Sequence, residues 1–174
     1  MRHQIDLRRS LRFDGRGQQF ARVRNTETPI EGEEIGIEAV KRVGDVVAGQ
    51  FRALHDTGCD MEQYVEQVFK TTAKGIKDRD FKASCPIAAI AAEMGASNPD
   101  LNAAVVAVFA AWEKEIAFAA SARGMSAKNA ASFASAMLAS IEGAMVVSKA
   151  QGSVAPHVNA ARAMKALAAT MLVN

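Results

Sequence analysis

Residues 83–151 read ASCPIAAIAAEMGASNPDLNAAVVAVFAAWEKEIAFAASARGMSAKNAASFASAMLASIEGAMVVSKAQ, and their punctuation decides the fold. Pro86 suits the first position of a short alanine-rich helix that ends at Gly95. Ser97 or Asn98 then caps a long helix, with Pro99 in its first turn and Asp100 meeting the helix dipole. Leu101, Val105, Val108, Phe109, Trp112 and Ile116 recur on one face of that helix. Gly124 stops it. Ser126 caps a second long helix that runs to about Gln151, with Gly152 after it. Its apolar residues Phe133, Met137, Leu138, Ile141, Met145, Val146 and Val147 cover more than one face. Such a helix is either central to its subunit or shared with a second one.

The pattern extends in both directions. Downstream, a last helix is expected from about Pro156 to Leu172, with Met164, Leu167, Ala168 and Met171 as its stripe. Upstream, Ile37, Val40, Val43, Val47, Phe51 and Leu54 predict a long helix starting near Glu31 and ending in the Gly58 region. Asp60 is placed to cap another, with Met61, Val65, Val68, Phe69 and Ile76 inside. Arg79–Ser84 is a polar link. No strand, phosphate-binding glycine loop or tandem repeat is visible. Alanine supplies 30 of the 92 residues from Ala83 onward. Close helix packing and plain helix propensity both account for that richness.

Bulk properties set limits. A chain of 174 residues with 49% apolar content supports one domain, or one with a small appendage, and a helical core without staples. The longest apolar run, Ala103–Trp112, is short of the ~18 residues a membrane helix needs, and no secretion signal is visible. Cys59 and Cys85 fit a reducing cytoplasm, with a disulfide between them possible but unsupported. His3, His55 and His157 have no metal-ligand spacing with them, so no metal or cofactor is expected. The net charge of +2 hides an asymmetry. Residues 1–24 carry seven arginines against Asp6 and Asp14, a net +5, which leaves 14 Lys+Arg against 17 Asp+Glu, a net −3, in the remainder. An acidic body suits a phosphate backbone poorly, so nucleic-acid affinity would have to come from the arginine-rich start. The bland account of that start is a solvated tail.

The order of these elements, with F-x-x-W-E on one long helix and I-E-G-A-M on the next, resembles the C-terminal regulatory domain of tetracycline-repressor (TetR) family transcription factors. The resemblance covers about residues 31–174. It implies an all-α fold of about six helices and a two-fold dimer through a four-helix bundle. It also implies a transcriptional regulator, a repressor in the common case, that sits in the cytoplasm and senses a small effector; polar groups inside look few, so that effector is expected to be hydrophobic or amphipathic rather than a sugar or nucleotide. The helix Glu31–Leu54 looks like the family's connecting helix, and the helices between it and the last pair look like pocket walls. In the family, effector binding shifts the angle between the two connecting helices. Residues 1–30 depart from the pattern. The family's DNA-reading head has three short helices and an aromatic Y-x-x-F segment, where this chain has Arg22-Val-Arg-Asn-Thr-Glu-Thr-Pro-Ile-Glu31. A misread, truncated or diverged head would each leave such a segment. No DNA-contacting residue carries over, and no sequence-specific binding of operator DNA is expected from these residues, which offer no rigid helix for a groove.

The candidate pocket residues are Phe69, Cys85, Phe109, Trp112, Met137 and Ile141. Apolar effector cavities are lined by aromatics and adaptable methionines, although core packing is the commoner role for Trp112, Phe69, Phe81, Met137 and Ile141. Cys85 reads as a pocket-facing or redox-sensing thiol, or as a buried inert one. The candidate dimer residues are Leu138, Glu142, Gly143, Met145, Met164, Leu167 and Met171. Glu142 is expected to pair with a base of the partner chain or to face solvent, and Gly143 to mark a close helix crossing. Glu113 and Glu115 lie two apart on one helix, face different directions and are expected to be solvated. His157 is placed to titrate near neutral pH but has no sequence partner. No nucleophile has a marking context, so an enzyme is not expected. The alternatives are a stand-alone helical dimer or ligand-binding protein and, more weakly, a small α-helical enzyme.

Overall fold

The computed structural model describes residues 11–13, 19–21, 30–94 and 97–172. Most of the arginine-rich segment and the expected helix end at Gly95 lie outside these residues. The chain divides into two compact units, Met1–Glu34 and Ile35–Asn174. In the first, β1 (Leu11–Phe13) and β2 (Gln19–Ala21) pair antiparallel, with Arg12 opposite Phe20. The sequence reading contains no strand, because three residues are too few to show a period of two.

The body is all α: α1 (Ile30–Asp56), α2 (Met61–Lys77), α3 (Pro86–Met94), α4 (Pro99–Ala122), α5 (Ala127–Gln151) and α6 (Ala155–Leu172). The expected caps are present. Asp60 and Gln63 form a reciprocal capping box at 2.8 and 3.1 Å. The Asn98 side chain accepts from Leu101 N–H at 2.9 Å, and Ser126 accepts from Asn129 N–H at 3.3 Å. Gly152 closes α5 in the left-handed region at φ 60°. The exit from α2 is less ordinary. Asp80 and Phe81 both sit at positive φ, a region non-glycine side chains rarely occupy. The Phe81 N–H returns to Ile76 O at 3.0 Å.

The most extensive packing joins α4 to α5, α2 to α6 and α5 to α6. α5 is therefore the helix about which the others are arranged. Phe133, Ala134, Met137, Ile141, Ala144 and Ser148 are among its buried residues. Of the described helices, α5 is long and apolar enough by length and composition to cross a membrane. Its apolar richness serves this central position.

α1 lies along α4, and the two run in the same direction. Gly44 meets Val108, Arg52 meets Glu115, and Arg123 reaches Cys59. The closest approach is at Gly44. A Cβ there would stand 2.5 Å from a Val108 methyl, and valine has little rotamer freedom with which to yield.

Gly44→Ala is therefore expected to destabilise the protein by about 1–3 kcal/mol through overpacking, measured by urea unfolding. Adding Val108→Ala should recover part of that loss. Gly49→Ala, at an exposed site where a new Cβ meets nothing, should instead stabilise by up to about 1 kcal/mol. If Gly44→Ala and Gly49→Ala behave alike, the close approach of α1 to α4 is wrong.

Candidate functional site

The fold gathers five of the six expected pocket residues, Phe69, Cys85, Trp112, Met137 and Ile141, into one buried core, with Phe109 packed against it half-buried. α2 supplies Phe69, α4 supplies Phe109 and Trp112, and α5 supplies Met137 and Ile141. Cys85 precedes α3. Trp112 is 2% exposed. Its indole N–H donates to Gly44 O at 2.9 Å, and Phe109 meets it edge to face at 5.5 Å. Of these six residues only Phe69 lines either of the two surface grooves described, one between α2 and α6 and one at the ends of α1 and α4. Phe81, between α2 and α3, is half-buried.

Polar groups inside this core are more numerous than the sequence suggests. Glu142, on α5, turns one carboxylate oxygen into the interior, where it has no hydrogen-bond partner among the described residues. Burial pushes its carboxyl above the usual carboxylate range, and only the Cys85 thiol opposes that shift. Burial, with the Glu142 carboxylate second, pushes the Cys85 thiol up to about 12. A thiol held protonated in this way is a poor nucleophile, so the structure favours the inert reading of Cys85. Both cysteines are free. The Tyr64 hydroxyl is likewise buried without a partner among the described residues, and burial raises its pKa.

Sequence reasoning missed what binds the end of α1. The Arg123 guanidinium donates to Cys59 O at 2.8 Å and Ala119 O at 2.9 Å, lies 2.9 Å from His55 Nδ1 and stands over the Tyr64 ring at 5.1 Å. Arg123-Gly124 reads in sequence only as a helix stop, and nothing local marks the arginine as a hub. Glu115, expected in solvent, is instead ion-paired to Arg52. That contact lowers the Glu115 pKa. The pairing spans 63 positions, beyond any local pattern. His157, read as partnerless, is buried with Nδ1 2.8 Å from Ser148 Oγ. Among the described residues no group of three or more His, Cys, Asp and Glu is placed to hold a metal ion.

The expected dimer residues separate into two sets. Leu138 and Met164 are covered within their own subunit, and Met145, Leu167 and Met171 are half-buried against its core. They can offer a second subunit little or only part of their surface. Glu142 faces Cys85 rather than the outer side of α5. Gly143 is exposed, and a Cβ there would meet nothing. Around it on α5 lie Ala139, Val146, Val147 and Ala150, all exposed. On α6, Ala163 and Ala166 are exposed as well. The uncovered surface is thus a face of small side chains, with Val146 59% exposed.

Residues 62–163 match the family model for the C-terminal domain of LmrA/YxaF-like transcriptional regulators. The curated proteins provide no match to the chain.

The buried carboxyl makes a prediction whose sign is set by linkage. The folded-state pKa of Glu142 is raised. Its contribution to stability is therefore fully present below the unfolded carboxylate pKa, about 4.3, and is lost as pH rises through the folded value. Glu142→Gln stays neutral throughout. Its melting temperature relative to the wild type should therefore be higher at pH 8 than at pH 5, by differential scanning fluorimetry. A difference that is flat with pH would place this carboxyl in water, and a reversed one would give its charged form a cationic or hydrogen-bonding partner.

Proposed function

Because the chain belongs to the TetR family of transcriptional regulators, through its LmrA/YxaF-like C-terminal domain, we propose that it is the effector-sensing and dimerising part of a repressor. The effector is a small hydrophobic or amphipathic molecule, the partner is a second copy of the chain, and the location is the cytoplasm. The protein binds rather than catalyses. Operator DNA is a partner only through a head preceding the body, and we place no operator contact on residues 35–172.

One observation carries the sensing half of this reading. Trp112 belongs both to the buried core that also holds Cys85, Met137 and Ile141 and to the joint between α4 and α1, through its bond to Gly44 O. A molecule that enters the cluster and displaces Trp112 therefore acts directly on α1. The unpartnered Glu142 oxygen offers such a molecule a polar anchor inside an apolar site. The dimerising half rests on Gly143. Glycine inside a helix costs about 1 kcal/mol relative to alanine, and no neighbour within the subunit requires it. A close crossing by the same helix of a second copy accounts for that glycine and for the small exposed side chains around it.

The full chain should run as a dimer in light scattering at micromolar concentration. Gly143→Arg, which has room in the subunit, should produce monomers with unchanged helix content. A monomeric wild type, or an undiminished Gly143→Arg dimer, overturns this interface. For sensing, a panel of small apolar compounds should contain one that raises the melting temperature, shifts the emission of Trp112, the only tryptophan, and is not turned over. Turnover of the stabilising compound would favour an enzyme instead.

A further inference from the structure

A groove of about 460 Å³ opens between α2 and α6, within the size range of small-molecule sites. Phe69, Ala73, Val158 and Ala161 give it apolar walls. Its charged lining is Lys70, Arg162 and Lys165 against Glu66 alone. Glu66 is already engaged by Lys165, which also holds Glu62. Among the described residues Lys70 has no ion pair, and Arg162 reaches only Asn159, its neighbour on the same helix. Two cations are therefore uncompensated at the groove.

His157 distinguishes this groove from an ordinary surface crease. It lines the groove and is 1% exposed. Its Nδ1 is engaged by Ser148 Oγ at 2.8 Å, while its Nε2 is buried with no partner among the described residues. A polar atom left in that condition costs its full desolvation unless something else completes it.

We propose that the α2/α6 groove binds a small amphipathic carboxylic acid. The apolar chain lies against Phe69, Ala73 and Val158, and the carboxylate pairs with Lys70 and Arg162. One carboxylate oxygen accepts a hydrogen bond from His157 Nε2–H. The Ser148 hydroxyl then donates to Nδ1, which fixes the tautomer with its hydrogen on Nε2. The groove is distinct from the Trp112 cluster and shares only Phe69 with it. It centres on a different side of α6 from the proposed dimer face. At about 100° of rotation per helical residue, Val158, Ala161 and Lys165 point roughly a quarter of a turn or more away from Ala163 and Ala166, and Arg162 stands at the boundary, about one turn from Ala166.

The test is isothermal titration of the full chain with sodium decanoate below its micellar concentration. Chain-matched controls are 1-decanol, decyltrimethylammonium and decyl phosphate. Decanoate should bind saturably, one per subunit, at least tenfold more tightly than the alcohol or the cation, and should shift the Nε2 resonance of His157. Lys70→Glu/Arg162→Glu, at exposed positions, should weaken it tenfold or more with helix content unchanged, and His157→Gln should weaken it as well. Equal binding of decanol, no saturable binding, or full affinity in the charge-reversed variant overturns the proposal. Equal binding of decyl phosphate overturns the choice of a carboxylate. Neither variant site lies in the Trp112 cluster, so failure here leaves the sensing reading to its own test, and failure of that reading leaves the groove to this one.

Discussion

The body is organised by the demand that α5 satisfy several neighbours at once. α4, α6 and, less extensively, α2 all pack on it. A helix so surrounded must carry side chains small enough for close approach on some sides and large enough to fill space on others. Ala130, Ala134 and Ala144 do the first, while Phe133, Met137 and Ile141 do the second. With α5 placed, α4 is placed. With α4 placed, α1 has one seat, where glycine at position 44 admits Val108 and presents its carbonyl to Trp112.

That arrangement leaves polar atoms in places where packing alone would put carbon. The Tyr64 hydroxyl, one Glu142 oxygen and His157 Nε2 are all buried without partners among the described residues. Each costs stability, and native interiors contain few such groups. They lie in three different parts of the body. Glu142 sits with Cys85 at the start of α3, Tyr64 sits under the Arg123 hub, and His157 lines the α2/α6 groove.

α6 illustrates how one helix serves several surfaces. His157, Met164 and Ala168 face inward. Val158, Arg162 and Lys165 face the groove beside α2. Ala163 and Ala166 face outward. Eighteen residues at about 3.6 per turn provide enough turns for all three. The Lys165 bridge to Glu62 and Glu66 ties α6 to the start of α2, but at an exposed site this fixes register more than it adds stability.

The sequence by itself determined the helices and their ends. Asp60, Asn98, Pro99, Ser126 and Gly152 act within a turn of where they stand, so capping and helix-stopping chemistry can be read locally. The apolar repeats along α2 and α4 likewise named their inward faces, including Trp112 and Ile116, because a 3.6-residue period projects a core without knowledge of the partner. The tertiary structure alone decided which buried residues meet, and in what chemical condition. Leu138 and Met164, apolar enough to suggest an intersubunit stripe, turned out to be needed by their own core. Glu142 turned toward Cys85, Glu115 found Arg52, and Arg123 found the end of α1. His157 acquired one partner in Ser148 and left its second nitrogen unfilled. A residue's period around a helix says which way it points. What stands there is set by distant chain segments, 68 positions away for both Trp112 and Arg123, and the energy of a buried charge or dipole depends almost wholly on that neighbour.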